Sequence, residues 1–114
     1  MNLQLKNSKG KIEISKDIII TIANKAAVEC YGLAGISTEG ISDLIKKESS
    51  KGVKVEIVDG DKLILEVGII VMYGTKISEV AQNVMETVRY TVEDITGAKV
   101  EKVNIRVQGV KIVE

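Results

Sequence analysis

The stretch Val53–Tyr73, VKVEIVDGDKLILEVGIIVMY, decides the fold. Val53, Val55 and Ile57 alternate with Lys54 and Glu56, the period of a half-buried strand. Asp59-Gly60 then supplies a hairpin turn. The return strand sets Leu63, Leu65, Val67, Ile69, Val71 and Tyr73 on one face. Burying such a row contributes on the order of 10 kcal/mol before chain entropy is subtracted. The return strand is therefore the expected centre of the sheet.

Helical patterns flank this hairpin on both sides. Upstream, Lys11–Ser15 reads as a short strand, with Ile12 and Ile14 on one face. Ser15 is placed to cap a helix from Lys16 to about Tyr31, with Asp17 in its first turn and Gly32 ending it. Ile19, Ile22, Ala23, Ala26 and Cys30 form its apolar stripe. Gly32–Gly40 reads as loop, and Ser42–Lys47 as one further helical turn. Downstream, Thr75 is a candidate N-cap for a helix closed by Thr96-Gly97. Its stripe is Ile77, Val80, Ala81, Val84, Val88, Val92 and Ile95. Val103, Ile105 and Val107 then alternate with Asn104, Arg106 and Gln108 in a last strand.

The expected order is β-α-β-β-α-β within a single domain, 1–114. An α+β two-layer sandwich follows, with two helices packed on one face of a four-stranded mixed sheet, ferredoxin-like or a variant of it.

Composition narrows the chemistry. Of 114 residues, 16 are basic and 16 acidic, so the formal net charge is zero. Nucleic-acid binders draw much of their affinity from phosphate contacts and usually carry a basic surplus. Histidine is absent, which removes Ser-His-Asp and Cys-His nucleophilic sites and histidine metal ligands together. The single cysteine, Cys30, falls on the apolar stripe near a helix C-terminus, where a packed thiol is expected rather than a reactive thiolate. The pairs Asp59/Asp61 and Glu93-Asp94 lie in a turn and near a helix end, neither of which suggests a cleft that would perturb a carboxylate. No catalytic, cofactor-binding or metal-binding residues are expected. The apolar runs are far shorter than the ~20 residues that span a bilayer, and no signal peptide is read at the N-terminus. The expectation is a cytoplasmic chain without direct membrane insertion.

Gly32-Leu33-Ala34-Gly35 matches the GXXG form of the nucleic-acid-clamping KH loop. Its central Leu and Ala offer no phosphate partner, so a helix-terminating loop is the favoured reading. A KH-like nucleic-acid module using Gly32–Gly35 is the alternative.

Two surfaces stand out instead. With both helices on one side, Val58, Ile64, Ile70 and Met72 are left towards water among Lys54, Glu56, Lys62 and Glu66, a candidate self-association patch. On the second helix, Glu79, Glu86 and Glu93 recur every seventh residue beside Gln82, Asn83 and Tyr90. This strip is either a solvated face supported by Glu86–Arg89 pairing or a candidate partner face.

Several fragments, in order, resemble the alkaline-shock protein family of Gram-positive bacteria. They are Gly10–Ser15, Gly52–Glu56, Tyr73-Gly74, Ile77–Val84, Thr96-Gly97 and Val103–Val110, together spanning about residues 9–112. The resemblance implies a cytoplasmic domain linked to cell-envelope stress, in some relatives held at the membrane by a separate anchor protein. It carries no established catalytic residues. Taken with the apolar patch on the open sheet face, the expected function is a non-enzymatic protein–protein interaction module, a homo-oligomer with a membrane-anchored protein as a further partner.

Overall fold

A computed structural model describes residues 2–30, 33–36 and 52–112. The elements, in chain order, are β1 (Leu3–Asn7), β2 (Gly10–Ile14), α1 (Lys16–Val28), β3 (Leu33–Ile36), β4 (Val53–Val58), β5 (Lys62–Met72), α2 (Ile77–Thr96) and β6 (Lys99–Lys111).

Strand β5 is the centre, as its side-chain row requires. It pairs with β4 antiparallel from Val53↔Val67 to Val58↔Lys62. Further along the same edge it pairs with β3, through Leu33↔Val71 and Ile36↔Ile69. Its other edge carries β6, parallel, from Lys62↔Lys99 to Met72↔Lys111. The sheet is mixed and three strands across, because β3 and β4 lie end to end. Leu63, Leu65, Val67, Ile69 and Val71 are all fully buried. Helix α1 touches β3 and β4, α2 touches β6, and the two helices touch each other over this row.

Helix α1 begins at the expected cap, where Ser15 Oγ accepts from the Ile18 N–H at 3.4 Å. Ile19, Ala23 and Ala26 are buried, joined by Ile20 and Ala27. Alanine lets the helix approach the sheet closely. Helix α2 buries Val80, Val84, Val88 and Val92 in one row at four-residue steps. It ends at Gly97, whose φ of 79° is the left-handed conformation that favours glycine.

Several expectations need correction. The strand read at Lys11–Ser15 does not join the main sheet. It is β2, and it forms a separate antiparallel hairpin with β1. That hairpin closes one end of the core through buried Leu3 and is tied to the β4–β5 turn, where the Gln4 N–H donates to the Gly60 carbonyl at 2.8 Å. The order is thus β-β-α-β-β-β-α-β rather than β-α-β-β-α-β. The loop read over Gly32–Gly40 holds a strand, β3, at Leu33–Ile36, and α1 stops at Val28 rather than Tyr31. The helical turn read at Ser42–Lys47 lies outside the described residues.

At the other end of the hairpin, Tyr73 falls past the end of β5 and is exposed. Thr75 is not the cap of α2. Its hydroxyl donates back to the Met72 carbonyl at 2.7 Å, and Lys76 occupies the cap position without a side-chain capping hydrogen bond. Ile77 and Ile95, at the ends of the predicted stripe, are exposed, while Val80, Val92 and Thr96 near them are buried.

Leu65→Ala should lower the unfolding free energy by about 2–5 kcal/mol, the range for emptying a packed core site. Gly97→Ala should cost about 1 kcal/mol from its backbone alone, since an added Cβ would meet only Leu5 Cδ1 at 3.9 Å. Urea denaturation of the two variants checks both magnitudes.

Candidate association surfaces

The face of the sheet away from the helices is built from the alternate residues of three strands. Cross-strand register sets Lys54 beside Glu66, Glu56 beside Ile64 and Val58 beside Lys62. On the other side, Lys102, Asn104 and Arg106 stand next to Ile64, Glu66 and Gly68. Arg106 Nε lies 3.5 Å from Glu66 Oε2, a pair set between Ile64 and Ile70 along β5. The four predicted residues therefore share one face but form two groups. Val58 and Ile64 are half-buried among Lys54, Glu56, Lys62 and Lys102.

Ile70 has a different setting. Its cross-strand neighbours are Gly35 on β3 and Gly109 on β6, and two residues before it on β5 is Gly68. Glycines surround it on three sides, and Met72 follows at 38% exposure. Side-chain atoms Cγ1 and Cγ2 of Ile70 lie 3.6 and 3.7 Å from where a Cβ on Gly109 would sit, so they lean over that glycine. Val110 pairs with Val71, on the helix side, and Val110 and Ile112 are both exposed. Val110 therefore does not cover this patch.

On α2, Glu79, Gln82, Asn83, Glu86 and Tyr90 are exposed, Tyr90 at 70%. Glu79, Asn83 and Val80 line a shallow cleft of about 370 Å³ with Gly74, Thr75 and Lys76. The Gln82 amide donates to Glu86 at 2.9 Å, one turn on. Glu93 does not belong with them. Its carboxylate accepts from the Val100 N–H at 2.9 Å, at the start of β6. Nor does Arg89 serve Glu86: its guanidinium donates to the Val100 carbonyl (2.9 Å) and the Glu101 carbonyl (3.2 Å). Both residues clasp the first turn of backbone after Gly97 to the helix. Thr96 assists, its hydroxyl donating to the Val92 carbonyl (2.6 Å) and accepting from the Ala98 N–H (3.1 Å). This clasp was missed in sequence because Glu93 fits a seven-residue surface repeat equally well.

The chemistry-bearing groups have structural partners. Cys30 Sγ donates to the Ala26 carbonyl at 3.5 Å, one helical turn back. Asp59 and Asp61 flank Lys62, with Oδ atoms 3.5 and 3.9 Å from its Nζ. Among the described residues, no group of three or more Cys, Asp or Glu side chains is placed to hold a metal ion. No helix among them is long and apolar enough to cross a membrane.

A family model, alkaline shock protein 23, described as having a cell envelope-related function, matches residues 4–112. The chain belongs to the alkaline shock protein family. Within it, the domain is 42% identical to YloU, an uncharacterized protein of Bacillus subtilis (strain 168), over 98% of each chain. It is 33% identical to the uncharacterized Spy1614 of Streptococcus pyogenes serotype M6, over 99% of this chain and 98% of that protein. Among solved structures, a nickel form of MamM CTD matches with a TM-score of 0.53, covering 83% of this chain and 99% of that one. At 15% identity this likeness concerns the fold alone.

Replacing Glu93 with Ala strands a partly buried Val100 N–H and should lower stability by about 1–3 kcal/mol. Hydrogen exchange at Val100 should speed up while exchange at Val67 and Ile69 follows only the global loss. Unchanged Val100 protection would mean the clasp does not hold β6.

Proposed function

We propose that this alkaline shock family domain is a non-enzymatic association module with a cell envelope-related task. It works in the cytoplasm, self-associates through its open sheet face, and docks a second, membrane-anchored protein through α2. The observation that carries this reading is the setting of Ile70 and Met72. They form an apolar spot on a glycine floor, on the face opposite both helices, where a flat partner surface can approach closely. Polar neighbours rim the spot, the usual anatomy of a protein contact.

A non-enzymatic role is supported by the absence of histidine from the sequence and by the internal partners of Cys30, Asp59 and Asp61. For the second contact, the strip Glu79, Gln82, Asn83, Glu86 and Tyr90 offers two carboxylates, two amides and one aromatic ring. A basic segment with an exposed apolar or aromatic group is the matching partner, and its binding would weaken with salt. Attachment to the envelope would then run through that partner.

Size-exclusion chromatography with light scattering tests the reading. The wild-type chain should elute as a dimer or larger species at high micromolar concentration. The double variant Ile70→Lys/Met72→Lys should elute at lower mass with an unchanged far-UV circular dichroism spectrum. A wild-type monomer, or a variant of unaltered mass, would contradict self-association through this face.

A further inference from the structure

The outer edge of β6 is a second feature that points to association. Among the described residues β6 pairs only with β5, so its other edge carries unpaired backbone groups, the template that strand-adding partners use. The first part of that edge is occupied. Arg89 and Glu93 bond the Val100 and Glu101 backbone from the helix. The pairing with β5 also slips at two places, skipping Glu101 and then Gln108. Between these irregularities runs one regular segment, Lys102–Val107.

That segment is self-complementary in one antiparallel register. With Ile105 opposite its own copy, Val103 faces Val107 of the second copy, and Val107 faces Val103. On the open-face side, Asn104 meets Arg106, and Arg106 meets Asn104. Apolar residues thus pair with apolar ones and no like charges oppose. Neighbouring registers are worse for stated reasons. A two-residue slip one way sets Lys102 against Arg106, and a slip the other way sets Arg106 against itself. Both place like charges directly opposite, which is destabilising. A one-residue slip turns the valine row of one copy to the charged face of the other.

We infer that a second copy of this chain adds antiparallel to the outer edge of β6 over Val103–Val107, with Ile105 on a two-fold axis. The contact is isologous, the commonest geometry for a dimer. It joins two sheets into one and brings both Ile70 patches onto the same side of the extended sheet. The inference rests on the self-association reading above but uses a different surface. Its contact is the backbone edge, and the open faces remain free for further copies.

Disulfide trapping tests it. In a Cys30→Ser background, Ile105→Cys places two thiols on the axis at a Cα separation of about 4.5–5.5 Å, within disulfide reach. Mild oxidation should yield a covalent dimer. A face-to-face dimer holds the two Ile105 side chains on the far sides of its sheets, so it gives no such product. Ile105 is half-buried, so exposed positions provide a second route that leaves the core alone. Asn104→Cys mixed with Arg106→Cys should crosslink, and either variant alone should not.

With both contacts the wild type is a tetramer or larger, and in the Ile70→Lys/Met72→Lys background the edge dimer should persist. There, Asn104→Lys, meeting Arg106 twice, should raise its dissociation constant by roughly two- to thirtyfold. No trapping at residue 105, or trapping of Asn104→Cys alone, overturns the edge contact. If it comes with a face variant that falls to monomer, the proposed function stands without the edge. A wild-type monomer would end both.

Discussion

The structure depends on β5 burying one row of side chains completely and leaving the other uncovered. Five residues from Leu63 to Val71 reach zero exposure beneath α1 and α2. Both helices are spent on that task, since α1 lies over β3 and β4 while α2 lies over β6. The alternate row, from Ile64 to Met72, consequently faces outwards with whatever side chains it carries. In a sheet covered on both faces these would be core residues. Here Ile70 and Met72 belong to the surface because there is no third layer among the described elements to receive them. The proposed association of the domain follows from that missing layer.

The edges are handled unequally, and this bears on how copies could meet. One edge of β5 is filled twice over, by β4 and then by β3. The other carries a strand of 13 residues, long for an edge. Its start is clasped by Arg89 and Glu93, so the helix protects the first backbone groups that leave Gly97. Beyond Lys102 no described side chain plays that part. Protection at one end and open backbone over the rest are what the proposed edge contact requires, and the two slips bound that stretch.

The parts of the fold legible in the sequence were those set by long periodic runs. The Val53–Met72 hairpin, the α2 valine row and the Gly97 stop each rest on several residues that agree. What escaped was short or depended on tertiary pairing. Strand β1 reads as polar because only Leu3 and Leu5 face inwards, and β3 is four residues cut from a glycine-rich stretch. Such segments take strand form only because β2 and β5 offer them a partner edge. The open-face residues were predictable from alternation alone. The glycine floor around Ile70 was not, because Gly35 and Gly109 reach it through register from strands far apart in sequence. Glu93 was misplaced for the same reason: its partner, the Val100 N–H, is defined by where β6 starts relative to the helix.

The central claim is that copies of this domain meet on the sheet side and not on the helix side. Backbone amide shifts of the ¹⁵N-labelled protein, followed through a dilution series, test it most directly. Changes strongest in β6 and in the Ile64–Met72 stretch, with weaker ones in α2 where it overlies β6, are the predicted result. Changes centred on the exposed face of α2, or none at any concentration, would contradict the account.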